Sequence, residues 1–285
     1  MVLAGGLTPE MRAELGALGF KPRRRLGQNF MRDGNMIALL AREAGVTCGD
    51  LVLEPGPGAG GLTLELLDLG AEVLAVELDP VLAVFLRERL AGCRRFDLIE
   101  GDVLDAGRRL NPEAVERLEG RPFVLASNLP YSAATPFLVA LCGSGLPWRG
   151  GAVTVQKEVA ERLAAAPGDS SYGAATVLVA TGAACSMLRR VPPDVFWPRP
   201  GVESAIVRLE ALEAPLLQPA EFDSFATFLR GIFSARRKKL VRALRAAGVE
   251  GGAAREAVER AGVDGDSRPG ELSPGALVNL WRSSG

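Results

Sequence analysis

From Asp50 onward the chain alternates short β-branched or apolar runs with stretches whose apolar residues recur at helical spacing, which predicts a sheet assembled from βαβ units. Strands are expected near Leu51–Glu54, Glu72–Glu77, Asp97–Gly101, Phe123–Ser127, Gly151–Gln156, Ala175–Ala184 and Ser204–Glu210. Helical patterns lie between most of them, as at Pro80–Leu90 and Thr135–Leu141, and Pro80 suits a first helical turn, where its missing N–H costs nothing. A further helix is expected ahead of the sheet at Asn35–Ala44. Only the loop Pro192–Gly201 separates the last two strands, so that pair should run antiparallel at one edge of an otherwise mostly parallel sheet. After Glu210, Ala211–Pro219 is loop-like, and Phe222, Phe225, Phe228, Leu229 and Ile232 then recur at helical spacing. The expected organisation is an α/β domain over residues 1–213 and a small helical domain over residues 214–285.

Composition narrows the chemistry. The 285 residues are 48% hydrophobic, enough for one large core or one core with an appendage, and no apolar run approaches the roughly 18 residues of a membrane span. The N-terminus lacks the basic start and apolar stretch of a secretory leader, so a cytoplasmic protein is expected. Cys48, Cys93, Cys142 and Cys185 are scattered singly, which suggests reduced packing residues and neither a zinc cluster nor a disulfide framework. There is no histidine at all, which removes imidazole triads and most catalytic zinc sites, and no metal is expected. The net charge of −1 exerts no global pull on nucleic acid, but Arg23, Arg24 and Arg25 form one basic cluster, and Arg236, Arg237, Lys238 and Lys239 centre another. No acidic residue interrupts the second between Ser224 and Val249, and both are candidate phosphate contacts.

The first strand runs into Glu54-Pro55-Gly56-Pro57-Gly58-Ala59-Gly60-Gly61 and then an apolar helical pattern. Glycines there let the backbone turn tightly and bring a ligand close to a helix N-terminus. Gly56, Gly58 and Gly61 also satisfy the dinucleotide pattern, so the loop alone does not choose a cofactor. Glu77, at the end of the second strand, can accept from both ribose hydroxyls of a nucleoside, and Asp102, at the end of the third, from an adenine amine. Asp79 also reads as the N-cap of the next helix.

The fourth strand ends in Asn128-Leu129-Pro130-Tyr131, and here the cofactor readings part. An adenine N6 amine is a poor nucleophile because its lone pair is delocalised into the ring. Two acceptors on its two N–H bonds make it more tetrahedral and able to attack a sulfonium methyl. The Asn128 side-chain oxygen can be one and the Leu129 carbonyl the other, since Pro130 holds Leu129 extended. Tyr131 then offers a ring on which the base can stack. No general base is needed, because the proton can leave to water. A nicotinamide-dependent oxidoreductase would leave this tetrapeptide without a task and would lack a histidine or Tyr-x-x-x-Lys acid-base pair.

Together with Arg24-Arg25-Leu26-Gly27-Gln28-Asn29-Phe30, Val155–Leu163 and Phe196-Trp197-Pro198-Arg199-Pro200-Gly201-Val202-Glu203-Ser204, these segments resemble the ribosomal RNA adenine dimethyltransferases, from about Arg24 to Leu244. That family includes the bacterial small-subunit enzymes and the erythromycin-resistance methylases. The resemblance implies a Rossmann-like class I methyltransferase sheet with a helical C-terminal domain, and S-adenosylmethionine as cofactor. It implies that Gln28, Asn29 and Met31 lie against the cofactor, that Gly56, Gly58, Glu77, Leu78, Asp102, Val103 and Asn128 bind it, and that Phe196 supplies a second stacking face. Phe233–Leu240 and the proline-rich Phe196 loop are more similar to the small-subunit enzymes. The implied reaction dimethylates N6 of two adjacent adenosines in a hairpin near the 3′ end of 16S rRNA, in the small subunit or its precursor, by a monomeric enzyme of subunit biogenesis. The alternatives are a large-subunit (23S) adenine methylase and a non-catalytic assembly factor.

Overall fold

The computed structural model describes residues 6–23 and 26–285. In chain order its first helices and strands are α1 (Pro9–Ala17), β1 (Phe30–Met31), α2 (Gly34–Glu43), β2 (Leu51–Pro55), α3 (Gly61–Asp68), β3 (Glu72–Glu77), α4 (Pro80–Arg89) and β4 (Phe96–Glu100). There follow α5 (Pro112–Leu118), β5 (Phe123–Asn128), α6 (Ala134–Gly143), β6 (Trp148–Gln156), α7 (Lys157–Leu163), α8 (Ala174–Ala180), β7 (Ala183–Val191), β8 (Phe196–Trp197) and β9 (Ser204–Ala211). Four helices close the chain: α9 (Pro219–Ser234), α10 (Leu240–Ala246), α11 (Gly251–Arg260) and α12 (Pro274–Ser283).

Two compact units divide these elements. The first holds residues up to Leu141, Leu146–Ala160 and Cys185–Ala211. Its seven-stranded sheet has the order β4-β3-β2-β5-β6-β9-β7; β4, β3, β2, β5 and β6 pair in parallel, while β9 runs antiparallel to β6. β2 is buried along its whole length, and only the first residue of β3 and the last of β5 are partly exposed, as expected of strands covered on both faces. The chain works outward from β2 to β4 and returns to β5 beside β2, which leaves a crevice at the carboxyl ends of β2 and β5. Local capping starts the helices that line it. Asp79 accepts the Val81 N–H at 3.0 Å ahead of Pro80, and Asp33 accepts those of Asn35 and Met36, each cap contributing about 1 kcal/mol.

At three places the elements differ from those expected from the sequence. Ala175–Ala184 is not a strand: α8 occupies Ala174–Ala180 and β7 begins only at Ala183. The run Ala-Ala-Thr-Val-Leu-Val-Ala is apolar throughout, so its periodicity cannot separate a buried helix from a buried strand. Within the loop Pro192–Gly201, β8 pairs antiparallel with β1, setting Phe30 opposite Trp197 and Met31 opposite Phe196. α1 was not expected at all. Only Met11 and Leu15 are buried on it, yet with Leu7, Phe20 and Phe30 they join a cluster against Leu64, Leu82, Phe85 and Leu86.

The second unit comprises 142–145, 161–184 and 212–285, so it takes in α8 as well as the four terminal helices. The Tyr172 hydroxyl donates to the Leu272 carbonyl at 2.9 Å, and Phe225 meets Trp281 edge to face with ring centres 5.5 Å apart. The assignment of 161–184 differs from the 1–213 and 214–285 division expected from sequence, because α8 packs with α9 and α12. Among the described residues no helix is long and apolar enough to cross a membrane.

Candidate active site

The crevice at the end of β2 and β5 opens as a cavity of about 420 Å³ in the first unit, within the usual range for a small-molecule site. The glycine turn forms its floor. Gly58 has φ +61°, and a Cβ there would lie 2.8 Å from the Phe30 ring. That close approach leaves the Gly58 N–H free to donate to Glu77 Oε2 at 3.0 Å, while the Asp79 N–H donates to Oε1 at 2.8 Å.

Glu77 is 5% exposed, and burial pushes its pKa up to about 7 against the pull of those two backbone donors, with the Asp79 charge adding to the rise. Glu54, one strand over, was not singled out from sequence as a site residue, although it is another acid at a strand end. It is 1% exposed and lines the same cavity. Burial pushes its carboxyl to about 8, opposed by the Thr63 hydroxyl that donates to it at 2.7 Å and reinforced by Glu77. Two buried carboxyls held above their ordinary range set this wall apart from an ordinary apolar core and make it a candidate binding wall.

Every residue expected at the cofactor lines this cavity. Gln28, Asn29 and Met31 come from the N-terminal arm, Gly56 and Gly58 from the glycine turn, Glu77 and Leu78 from the end of β3, Asp102 and Val103 from beyond β4, and Asn128 from β5. Gln28 is fixed at both ends, its Nε2 donating to Asp79 Oδ2 at 2.9 Å and its Oε1 accepting the Arg23 N–H at 2.7 Å. Asp102 is exposed, and its Oδ1 accepts the Leu104 N–H at 3.0 Å.

At the β5 end, the Asn128 Nδ2 donates to the Asn29 carbonyl at 2.8 Å, so the amide presents Oδ1 as its remaining acceptor. The Leu129 N–H donates to the Thr154 carbonyl at 3.1 Å, and no hydrogen bond from the described residues reaches the Leu129 carbonyl. The N-terminal arm also presses on this segment. Gly27 has φ +65°, and a Cβ there would sit 2.9 Å from the Tyr131 backbone nitrogen.

Two expected stacking residues lie apart from the cavity wall. Tyr131 is half-buried, its hydroxyl 2.7 Å from Ser204 Oγ. Phe196 is a correction. It is 2% exposed and packed in the hydrophobic core with Met31, Ile37, Val195 and Ile206, so it presents no open face to a base. The β1–β8 pairing draws it inward, while the neighbouring Trp197 stacks on Phe30 with ring centres 6.1 Å apart, and the Arg12 guanidinium covers that indole at 4.4 Å.

Of the basic residues, Arg23 is exposed and lies 3.8 Å from Asp79; Arg24 and Arg25 lie outside the described residues. Arg236, Arg237, Lys238 and Lys239 are all exposed between α9 and α10 in the second unit. Arg236 donates to the Ser170 carbonyl and Lys239 pairs with Asp266 at 2.7 Å. Among the described residues no group of three or more metal-ligating side chains is present.

A parallel sheet that reverses beside its first long strand, a glycine turn under acid-tipped strands and an Asn-Leu-Pro-Tyr segment at the reversal define a class I methyltransferase. The model of the ribosomal RNA adenine dimethylase family matches residues 19–283, and the chain belongs to that family. The ribosomal RNA small subunit methyltransferase A of Pelotomaculum thermopropionicum is 41% identical over 268 residues, 92% of this chain and 91% of that protein. The crystal structure of the 23S rRNA methyltransferase ErmE matches at 28% identity with a TM-score of 0.64, over 90% of this chain and 99% of its own. A dimethyladenosine transferase from Plasmodium falciparum shares the fold at 24% identity, with a TM-score of 0.73 over 88% and 95% of the two chains.

Proposed function

We propose that the protein dimethylates N6 of two adjacent adenosines in a hairpin near the 3′ end of 16S rRNA, acting as a cytoplasmic monomer on the small ribosomal subunit or its precursor. The observation that carries the chemistry is the clamped Asn128. With its Nδ2 committed to the Asn29 carbonyl, the side chain offers Oδ1 beside the Leu129 carbonyl, the pair of acceptors an exocyclic adenine amine requires. The small-subunit substrate follows the relative that is 41% identical, against 28% for the large-subunit methyltransferase.

The cavity fits S-adenosylmethionine, which supplies an electrophilic methyl group on a positively charged sulfonium. Glu77 keeps lone pairs free after its two backbone N–H bonds and accepts from ribose hydroxyls. Asp102, exposed at the cavity rim, accepts from the adenine amine, and Gln28, Asn29, Met31, Leu78 and Val103 complete the walls. For the first transfer Asn128 Oδ1 and the Leu129 carbonyl hold the two N6 hydrogens of the target base and turn its lone pair outward; for the second, one of them holds the single hydrogen that remains. Tyr131 supports the base, and each proton released passes to water, since neither acceptor retains one. The exposed Arg23, Arg236, Arg237, Lys238 and Lys239, together with Arg24 and Arg25 beside Arg23 in the sequence, contact rRNA phosphates.

Labelled S-adenosylmethionine offered separately with immature small subunits, mature small subunits and large subunits tests the substrate. Label is expected in two adjacent adenosines of immature small subunits. Label confined to large-subunit RNA would identify a resistance-type methylase, and no label in any RNA would identify an assembly factor.

A further inference from the structure

Tyr131 stands in a turn just beyond β5, yet its ring is held from a different part of the sheet. Its hydroxyl lies 2.7 Å from the Oγ of Ser204, the first residue of β9. Ser204 is fully buried and faces Gln156 in the β6–β9 register. The residue before it is secured as well: the Glu203 carbonyl accepts the Lys157 N–H at 3.0 Å, and its carboxylate meets the Lys157 ammonium at 3.1 Å. At the other end of the tyrosine, Gly27 packs against the backbone nitrogen so closely that no Cβ fits.

The Tyr131 ring is therefore restrained at both ends, at its backbone by the N-terminal arm and at its hydroxyl by β9. Two torsions separate the ring from the backbone; the far oxygen lies on the axis of the second, so an anchor there fixes the first and with it the direction in which the ring points. A hydroxyl is the group that suits this place. It satisfies a half-buried phenol that would otherwise tilt toward water, and it is small enough for a site with no exposure.

We propose that Ser204 is a positioning residue that pins the Tyr131 phenol so that the ring meets the target base in register with Asn128. This rests on the reading of Tyr131 as the support for the base. Misplacement of a reacting group by about 1 Å can cost up to about a hundredfold in rate, so a tilted ring has a measurable effect without loss of fold.

A double-mutant cycle tests it, using single-turnover methyl transfer to immature small subunits at saturating cofactor and RNA. S204A and Y131F are each expected to slow transfer about tenfold, and the double variant no further, because both remove one hydrogen bond. Calorimetric affinity for S-adenosylmethionine should stay at the parental value, since neither residue lines the cavity. Effects that multiply to about a hundredfold would overturn the proposal by showing two independent roles. A parental rate for S204A would overturn it too. If S204A does not fold, Y131F still decides: a parental rate refutes the anchor. Y131A separates the two readings. Loss of transfer in Y131A with a normal rate in S204A removes the anchor alone, whereas a normal rate in Y131A removes the support for the base and the anchor with it.

Discussion

The two ends of the cavity are built on opposite plans. Around the glycine turn the polar groups already satisfy one another: Glu77 receives two backbone N–H bonds, Gln28 spans Arg23 and Asp79, and Asp79 caps α4. At the β5 end, Asn128 commits its amino group to Asn29, and neither its Oδ1 nor the Leu129 carbonyl receives a hydrogen bond from the described residues. A self-satisfied network is rigid before any ligand arrives and contributes chiefly to affinity. Acceptors held in place for a changing amine contribute chiefly to rate, because their bonds strengthen as the nitrogen pyramidalises.

The largest effect should come from the open end. Asn128→Ala is expected to slow single-turnover methyl transfer by about 100-fold to 1,000-fold, the cost of removing one preorganised partner of a transition state. Calorimetry should show S-adenosylmethionine affinity falling far less, and equal losses in rate and affinity would erase the contrast between the two ends. Next comes the closed end. Glu77→Gln should weaken S-adenosylmethionine binding about tenfold or more, the worth of a hydrogen bond to a charged acceptor, while the saturated rate changes less.

That prediction carries a pH signature. Because the Glu77 carboxyl is raised to about 7, the accepting carboxylate form is lost as pH falls through that value. Parental affinity should decline from about pH 8 to about pH 6, and the Gln variant should stay flat over the same interval. A parental profile without slope would remove Glu77 from the binding wall.

The smallest effect concerns stability. Glu54 is raised from an ordinary 4.5 to about 8, so the folded protein holds a proton there that the unfolded chain has released, and stability falls as pH rises through about 8. Glu54→Gln stays neutral and can still accept from Thr63. Above about pH 8 its Tm without ligand should exceed the parent's by about 3 °C, the shift about 1 kcal/mol produces in a domain of this size, and below about pH 4.5 the two should coincide. A variant less stable than the parent at high pH would mean that the Glu54 carboxylate is better solvated than its burial implies.

Much of this arrangement was readable along the chain. Acids at the ends of successive strands and glycines in the turn are local features, and they brought Glu77, Asp102, Gly56 and Gly58 to one cavity as expected. Glu54 ends a strand in the same pattern, and the signal that finds it is that position. The misassigned Ala175–Ala184 has a different cause: a run that is apolar on every side carries no period to interpret. Phe196, expected as a second stacking face, is core, because its surroundings depend on Met31 and Ile37, far away in sequence.

By itself the sequence determined most of the strands and helices, the mostly parallel character of the sheet, and the residue types gathered at the strand ends, since periodicity, capping and turn chemistry act over a few neighbours. Only the tertiary structure decided how those residues are aimed. The amide of Asn128 takes its direction from a carbonyl 99 residues earlier, and the ring of Tyr131 from a hydroxyl 73 residues later. Phe196 is turned inward by the pairing of β8 with β1. An amide or a ring has several orientations of similar local energy, and a partner supplied by long-range packing selects among them.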